Sequence, residues 1–205
     1  MRTIFDLYAD KYDSWFDENH TAYMTELLAL KNEFANSRRS IEIGIGTARF
    51  AQMLNITYGI DLSASMLEIA KDRRCHVALA DAETLPFRTG EFDYALLMVT
   101  LCFVKHPARV VKEAKRILTK NGKLVIGIID KRSAFGRLYR KRHSAFYSHA
   151  RFFTAEEVLQ LLRATGFHEI QATQTLFHDP YSVRKIERLK KGHGKGGFVV
   201  TTGIK

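Results

Sequence analysis

Cysteine, proline and long apolar runs are all scarce in this 205-residue sequence. The two cysteines, Cys75 and Cys102, can form neither a disulfide framework nor a metal-ligand cluster, so a reducing cytoplasm is the expected location and no metal is expected. No apolar run approaches the roughly 20 residues of a membrane-spanning helix, and Asp6 stands where a secretory signal would have its apolar core. With 46% hydrophobic and 26% charged residues, the chain is expected to form a soluble globular domain.

Acidic residues are also few, 22 against 32 lysines and arginines, and the excess of positive charge is unevenly placed. Residues 1–95 contain 10 basic and 15 acidic residues, whereas residues 96–205 contain 22 basic and 7 acidic residues. Most of the excess comes from residues 131–142 and 184–195. A basic half favours an anionic partner such as nucleic acid, a phosphorylated metabolite or an acidic membrane surface, and the alternative is a solvated basic rim without a partner.

Short apolar segments alternate with amphipathic segments along the chain. The segments that favour strands are 40–45, 56–60, 77–80, 92–99, 123–129, 169–177 and 197–204. The segments that favour helices are 4–17, 20–35, 63–73, 107–118 and 154–166. Alternating strands and helices are typical of an α/β fold. The sequence therefore predicts a doubly wound, mostly parallel sheet of seven strands, with an antiparallel C-terminal hairpin strand and helices on both faces.

Two glycines, Gly44 and Gly46, follow the first predicted strand. Glycine lets the backbone turn sharply and approach a ligand closely, and the helix that follows directs free amide groups at that ligand. Ligands of doubly wound sheets bind beyond the carboxyl ends of the strands. A dinucleotide-binding turn has a third glycine where this sequence has Arg49, and this argues against a nicotinamide-dependent dehydrogenase.

Carboxylates stand beyond the next two predicted strands. Asp61, 17 residues after Gly44, can accept hydrogen bonds from both hydroxyls of a ribose, or it can cap the following helix, for which Ser63 is the other candidate cap. Asp81 and Glu83 follow the third strand. Carboxylates beside a glycine turn that has no third glycine indicate an adenosine site that holds no pyrophosphate.

These segments form an ordered series of motifs. In chain order they are Glu42-x-Gly44-x-Gly46-Thr47, Gly59-Ile60-Asp61-Leu62-Ser63-x-x-Met66-Leu67, Asp81-Ala82-Glu83-x-Leu85-Pro86-Phe87, Phe92-Asp93-Tyr94 and Asn121-Gly122-Lys123-Leu124-Val125-Ile126. Over residues 5–175 the series resembles the class I S-adenosylmethionine-dependent methyltransferases, and within them the small-molecule branch of ubiquinone and menaquinone methyltransferases. The resemblance implies one Rossmann-like domain, with an N-terminal helical cap at 1–38, a cofactor-binding core at 39–130, and substrate-side helices with the C-terminal hairpin at 131–205.

The same resemblance assigns the cofactor contacts. It implies that Glu42, Gly44 and Gly46 line the methionine moiety and that Asp61 binds the ribose. Tyr12 resembles the tyrosine that closes over the cofactor carboxylate in many relatives. The remaining contacts implied, with the adenine and the cofactor amino group, are Leu62, Met66, Asp81, Ala82, Leu97 and Met98.

The sequence departs from the family pattern in three ways. Ala48 replaces a common third glycine, a change that is tolerable if the backbone there is helical. Cys102 and Phe103 stand where relatives often have two histidines, and His106 replaces a common aspartate. These departures leave the catalytic residue unidentified, and Cys102 itself is interpreted as a small buried apolar residue rather than a nucleophile.

Candidate acceptor-binding residues follow the fifth predicted strand. Phe135, Tyr139, His143 and Tyr147 recur every four residues and would form one stripe if the segment is helical. Such a stripe could cage a cationic or planar substrate, with His143 as a candidate general base. The alternative is ordinary packing of an amphipathic helix against the core. Further candidates on the substrate side are Tyr8, Trp15 and Thr100.

The sequence therefore predicts methyl transfer from S-adenosylmethionine to a small-molecule acceptor by in-line displacement. Because the sulfonium already activates the methyl group, the protein mainly has to hold the acceptor in line with it. Two alternatives stay open. One is an RNA methyltransferase that uses the basic half, which salt-sensitive RNA binding would reveal, and the other is a regulatory module that binds the cofactor without turnover.

Overall fold

The computed structural model describes residues 3–34, 39–141, 145–148 and 150–205, and these form one eight-stranded sheet flanked by helices. The strands are β1 (Ser40–Ile43), β2 (Tyr58–Asp61), β3 (His76–Leu79), β4 (Phe92–Met98), β5 (Leu118–Ile129), β6 (His168–Thr175), β7 (Lys190–Lys191) and β8 (Phe198–Ile204). The helices are α1 (Ile4–Leu7), α2 (Ala9–Glu18), α3 (His20–Lys31), α4 (Arg49–Leu54), α5 (Ala64–Lys71), α6 (Pro107–Ile117), α7 (Ala134–Lys141) and α8 (Ala155–Ala164). The strand order is β3-β2-β1-β4-β5-β8-β6-β7.

The predicted doubly wound sheet is confirmed. Strands β1 to β5 are mutually parallel, whereas β8 is antiparallel to β5 and to β6, as expected of a C-terminal hairpin. The expectation of seven strands is corrected to eight within the described residues. Lys190 and Lys191, in the segment taken as a loop, pair with Gln174 and Thr173 of β6 and form the short edge strand β7.

Two element boundaries differ from the sequence prediction. The N-terminal segment is interrupted at Tyr8, which has φ −133° and ψ 32°, so it forms α1 and α2 instead of one helix. Strand β5 begins at Leu118, where a helix was expected to end, because Leu118 has an extended backbone and pairs with Phe92 of β4. Both side chains are fully buried, so pairing with the sheet removes them from water.

Apolar side chains cover both faces of the sheet. One layer lies under α2, α3, α4, α5 and α7, and the other under α6 and α8. Consecutive residues of β4 point into opposite layers: Leu96 belongs to the first layer and Leu97 to the second. Burial on both faces explains why the last four residues of this strand, 95–98, are all apolar. None of the helices in the described residues is long and apolar enough to cross a bilayer.

Polar contacts fix the N-terminal helices over the carboxyl ends of β1 and β2. The hydroxyl of Ser63 donates a hydrogen bond of 2.6 Å to the carboxylate of Asp6, and this bond is the main cause of the lowered Asp6 pKa of about 2. On α2, Asp13 forms ion pairs with Arg49 at 2.6 Å and with Arg73 at 2.7 Å. The cap formed by α1 and α2 is therefore anchored to α4, α5 and the segment after α5.

Candidate functional site

The backbone after β1 turns at Gly44 and Gly46, which have φ angles of 75° and 52°. These left-handed conformations favour glycine. A Cβ atom on Gly44 would lie 2.4 Å from Cγ2 of Thr100, and one on Gly46 would lie 3.4 Å from Cε1 of Tyr12. Residue 44 is therefore restricted to glycine both by its backbone conformation and by the space available to it.

Asp61 holds this turn from the end of β2. Its Oδ2 atom accepts a hydrogen bond of 2.8 Å from the amide of Gly46, and its Oδ1 atom accepts one of 2.9 Å from the amide of Ser63. Ser63 itself caps α5, because its hydroxyl accepts from the amide of Met66. The interpretation of Asp61 as a helix cap is therefore wrong. Burial raises the pKa of Asp61 against the lowering effect of its two hydrogen bonds.

A cavity of about 880 Å³ opens beyond the carboxyl ends of β1, β2 and β4. Nine of the predicted cofactor contacts line it: Tyr12, Gly44, Gly46, Asp61, Leu62, Met66, Asp81, Ala82 and Met98. The fold thus brings together residues from α2, from the turns after three strands and from the start of α5. Of the other two predicted contacts, the side chain of Leu97 is fully buried in the second apolar layer.

Glu42, the remaining predicted contact, is buried on β1 and is 2% exposed. Its Oε2 atom has no hydrogen-bond partner among the described residues. Burial raises the pKa of this carboxyl group well above its usual range. Because buried polar atoms are normally paired, Glu42 is suited to accept a hydrogen bond from an amino group of a ligand held at the glycine turn.

The predicted acceptor-side residues separate into two groups. The side chains of Trp15, Thr100, Tyr139 and Tyr147 line the cavity. Tyr8 is 42% exposed and lies outside the lining, and Phe135 is buried in the first apolar layer with its ring centroid 4.4 Å from that of Tyr139. Phe135 is therefore part of the core that supports the cavity wall.

The expected aromatic stripe is not one continuous helical face. Helix α7 carries Phe135 and Tyr139 and ends at Lys141, and His143 lies outside the described residues. Tyr147 lies in a turn at 145–148, where its ring centroid is 4.5 Å from that of Tyr139. A helix and a separate turn together form this wall of the cavity.

The sequence analysis missed several lining residues, among them Phe5, Glu26, Phe146 and Tyr181. Phe5 contacts Phe103 edge-on with centroids 4.9 Å apart, and its ring centroid is 5.6 Å from that of Phe146. Phe103 and Phe146 follow Phe5 by 98 and 141 residues, so no spacing rule identifies their contacts with it. A signal did exist for Glu26, which is an acid among the apolar residues of α3.

Backbone conformations near the site correct one expectation and reveal strain. Alanine was expected to replace the family's third glycine only if the backbone at residue 48 is helical. Ala48 instead has a left-handed backbone, with φ 63° and ψ 25°. Burial of its methyl group offsets the free-energy cost of this conformation. Val99, which lines the cavity, has φ 55°. Left-handed conformations of β-branched residues cost about 1–3 kcal/mol and cluster at functional sites.

The environment of Cys102 argues against a thiolate nucleophile. Its thiol donates a hydrogen bond of 3.0 Å to the carbonyl oxygen of Val99. Burial raises the pKa of the Cys102 thiol, so the thiolate is scarce at neutral pH. Cys102 is therefore a small buried side chain and not a nucleophile.

Proteins similar in sequence to this chain include methyltransferases. A sequence profile described as "Methyltransferase domain" matches residues 41–126. An uncharacterized protein of Methanocaldococcus jannaschii is 45% identical over 204 residues, which cover 98% of each chain. A malonyl-[acyl-carrier protein] O-methyltransferase of Geobacter sulfurreducens is 26% identical over 94% of this chain and 81% of its own length.

A solved structure matches the whole fold. A crystal structure from Thermotoga maritima, described as a "SAM-dependent methyltransferase, possible histamine N-methyltransferase", has a TM-score of 0.95 and 45% sequence identity, and the match covers 98% of both chains. The glycine turn, Asp61 and the buried Glu42 also fit an adenosyl cofactor that has a free amino group. The chain belongs to the class I S-adenosylmethionine-dependent methyltransferases, and S-adenosylmethionine is its cofactor.

Proposed function

We propose that this protein transfers the methyl group of S-adenosylmethionine to a small-molecule acceptor in the cavity beside Gly44 and Gly46. The observation that carries the proposal is the enclosure of this cavity by aromatic rings from separate segments, among them Phe5, Phe103 and Phe146. A volume of about 880 Å³ lies within the range of small-ligand pockets, roughly 300–1,000 Å³. The two free cysteines support a reducing, cytoplasmic location.

The polar side of the cavity would hold the cofactor. A carboxylate has about four acceptor positions, and the hydrogen bonds from Gly46 and Ser63 use two of those on Asp61. The others are available to ribose hydroxyls. The unpaired Oε2 atom of Glu42 fits the amino group of the methionine moiety. When bound, the cofactor supplies a methyl group that its sulfonium has already activated.

The aromatic side would hold the acceptor. Rings at Tyr12, Trp15 and Phe146 exclude water and restrict the acceptor to a few orientations. Positioning of this kind can account for about 7–11 kcal/mol of a reaction barrier in well-oriented systems. The chain therefore needs to supply orientation first, and a base only if the attacking atom holds its proton at neutral pH.

The relatives leave the acceptor atom open. The Thermotoga maritima protein is described as a "possible histamine N-methyltransferase", whereas the Geobacter sulfurreducens protein is named as an O-methyltransferase. The resemblance to ubiquinone and menaquinone methyltransferases, together with the aromatic wall, favours an acceptor that carries a flat ring. Which acceptor atom is methylated therefore depends on how the cavity of this chain orients the acceptor.

A methyl-transfer assay tests the proposal. The protein is incubated with isotope-labelled S-adenosylmethionine and a panel of small amines, phenols and quinone precursors, and products are identified by mass spectrometry. We expect labelled product from at least one acceptor and a large loss of product with Asp61→Ala. Tight binding of S-adenosylmethionine without transfer to any acceptor would instead support a regulatory module.

An RNA acceptor is the second candidate. Lys131, Arg132, Arg137 and Arg140 line a separate surface depression of about 770 Å³. In addition, a probable tRNA methyltransferase 9B of Bos taurus is 32% identical over 93 residues, which are 42% of this chain and 20% of that protein. Contacts with several phosphates would make RNA affinity fall steeply with salt. RNA binding that is weak at low salt, or insensitive to salt, would exclude this candidate.

A further inference from the structure

Glu26 is a buried carboxyl group that lines the cavity. It lies in the middle of α3 and is 4% exposed. No described residue donates a hydrogen bond to its carboxyl group, and burial raises its pKa to about 8. A buried carboxyl without a partner is costly. Its position against a ligand-sized cavity is therefore typical of a group whose partner is a ligand.

Tyr12, Tyr139 and Tyr147 line the same cavity as Glu26. Burial is the main cause of the raised pKa of Tyr12, Tyr139 and Tyr147, and the nearby charge of Glu26 adds to it in all three. The hydroxyl of Tyr139 also lies 3.4 Å from that of Tyr181. Because these phenols stay neutral, they offer ring faces and hydroxyl dipoles in the cavity that Glu26 lines.

The cavity is acidic although the protein is basic. The formal net charge of the chain is +10. Among the described residues that line the cavity, the carboxylates are Glu18, Glu26, Asp61, Asp81 and Glu83, and the cationic side chains are Lys11 and Lys105. Both lysines are exposed, whereas Glu26 is buried. The cavity therefore favours a cationic ligand.

From these observations we infer that the methyl acceptor is a small primary or secondary amine, which binds as its ammonium ion to Glu26 and against the tyrosine rings. This inference rests on the proposed function and names its substrate class. The buried carboxyl group of Glu26 keeps its proton while no cation is bound beside it, and a bound ammonium ion favours its ionised form. The ammonium ion is then attracted both by the Glu26 carboxylate and by the face of an aromatic ring. A phenol or quinol acceptor would leave Glu26 without a charged partner, and a carboxylate acceptor would be repelled by it.

Glu26 also supplies the base that amine methylation requires. Its carboxylate takes one proton from the bound ammonium ion and leaves a neutral amine. The nitrogen lone pair then forms the N–C bond while the C–S bond of the sulfonium breaks and its electron pair stays on sulfur. The product leaves as an N-methylammonium ion and Glu26 releases its proton to solvent. An ammonium and a sulfonium thus become one N-methylammonium ion, one neutral thioether and one proton.

The test compares amines with uncharged and anionic molecules of similar shape. The full chain is saturated with S-adenosylhomocysteine and titrated calorimetrically with histamine, tyramine and 2-phenylethylamine, and then with 2-phenylethanol and 3-phenylpropionate. The variant Glu26→Gln keeps the size of the side chain and removes its charge. The control is Glu68→Gln, an exposed carboxylate of α5 that pairs with Lys71 at 2.7 Å. Mass spectrometry detects the N-methylated product in parallel reactions with S-adenosylmethionine.

We expect at least one amine to bind about tenfold or more tightly than the alcohol and the acid, and to lose about 10- to 100-fold in affinity with Glu26→Gln. The affinity for S-adenosylhomocysteine should be unchanged in both variants, which shows that they are folded. Equal amine binding by Glu26→Gln, preference for the alcohol or the acid, or no binding of any amine would overturn the inference. Failure of the unmodified chain to bind S-adenosylhomocysteine would instead overturn the proposed function on which it rests.

Discussion

Arg49 and Asp13 form a bidentate ion pair, with Nε of Arg49 2.9 Å from Oδ1 and Nη2 2.6 Å from Oδ2 of the carboxylate. Arg73 donates to the same carboxylate at 2.7 Å. Arg49 begins α4 directly after the glycine turn, whereas Asp13 belongs to α2. The residue that replaces the third glycine of a dinucleotide-binding turn therefore holds the N-terminal helices over the cofactor site.

Replacement of Asp13 by Asn is expected to lower the free energy of unfolding by about 1–3 kcal/mol and to weaken S-adenosylmethionine binding. Burial raises the pKa of Asp13, but the hydrogen bonds from Arg49 and Arg73 outweigh it and hold this pKa well below its usual range. In the variant, the guanidinium groups of Arg49 and Arg73 would lose the negative charge of the carboxylate that both of them contact. Asp17→Asn is the control, because Asp17 pairs with Arg49 alone and is 67% exposed. Urea denaturation should show a much smaller loss for Asp17→Asn, and equal losses would contradict this assignment.

Asp61→Ala is expected to weaken S-adenosylmethionine binding by about 1–3 kcal/mol. The substitution removes the acceptor for the Gly46 amide as well as the acceptor available to the ribose. Asp61→Asn retains one acceptor oxygen and should lose less. Calorimetric titration measures both, with Asp72→Ala, an exposed position at the end of α5, as the control. Unchanged affinity in Asp61→Ala would exclude a cofactor role for this carboxylate.

Gly44→Ala is expected to destabilise the fold and to abolish cofactor binding. The added Cβ would lie 2.4 Å from Cγ2 of Thr100, in a backbone with φ 75°. Thr100→Ala removes Cγ2 and the hydroxyl and leaves Cβ of residue 100, which would lie 3.1 Å from the added Cβ. The double variant should therefore recover most of the steric part of the loss and keep the backbone strain of about 1–2 kcal/mol. Urea denaturation of the four proteins measures this coupling, and additive losses would show that the two side chains do not interact as described.

Local backbone rules explain why part of the site could be predicted. Gly44 and Gly46 follow a strand and precede a helix, and Ser63 stands at the start of an amphipathic segment, so each position is fixed by its neighbours in sequence. Asp61 could be placed at the same edge as the glycines because carboxyl ends of parallel strands meet there. The choice between its two roles required the observed hydrogen bonds to Gly46 and Ser63.

Contacts between distant segments explain what could not be predicted. Phe5, Glu26 and Phe146 reach the cavity only because α1, α3 and the turn at 145–148 pack at one edge of the sheet. The start of β5 at Leu118 likewise depends on pairing with Phe92. In each case tertiary packing, rather than propensity or spacing, decides where the residue lies. More of the cofactor-binding residues than of the acceptor-binding residues could therefore be predicted from the sequence.

The buried carboxyl of Glu26 makes stability depend on pH in a defined direction. Burial raises its pKa from an ordinary 4.5 to about 8, so the folded chain keeps a proton that the unfolded chain releases. This contribution to stability is fully present below about pH 4.5 and is lost as the pH rises to about 8, by up to about 1.4 kcal/mol per pH unit. Glu26→Gln removes this pH-dependent contribution to stability. The similar contribution of the buried Glu42 remains in both proteins.

Glu26→Gln should therefore become progressively more stable than the unmodified chain as the pH rises. Urea denaturation at about pH 5 and about pH 8 measures the difference in unfolding free energy between the two proteins. A difference that stays constant, or that shrinks toward the higher pH, would show that Glu26 is ionised in the folded protein at neutral pH.

Calorimetric titration with S-adenosylmethionine, S-adenosylhomocysteine and NAD tests the central claim most directly. The Gly44–Gly46 turn, Asp61 and Glu42 should give saturable binding of the first two ligands. Arg49, which replaces the third glycine and pairs with Asp13, should leave NAD without measurable binding. Binding of NAD without binding of S-adenosylmethionine, or no binding of any of the three, would contradict the assignment of this cavity as a methyltransferase site.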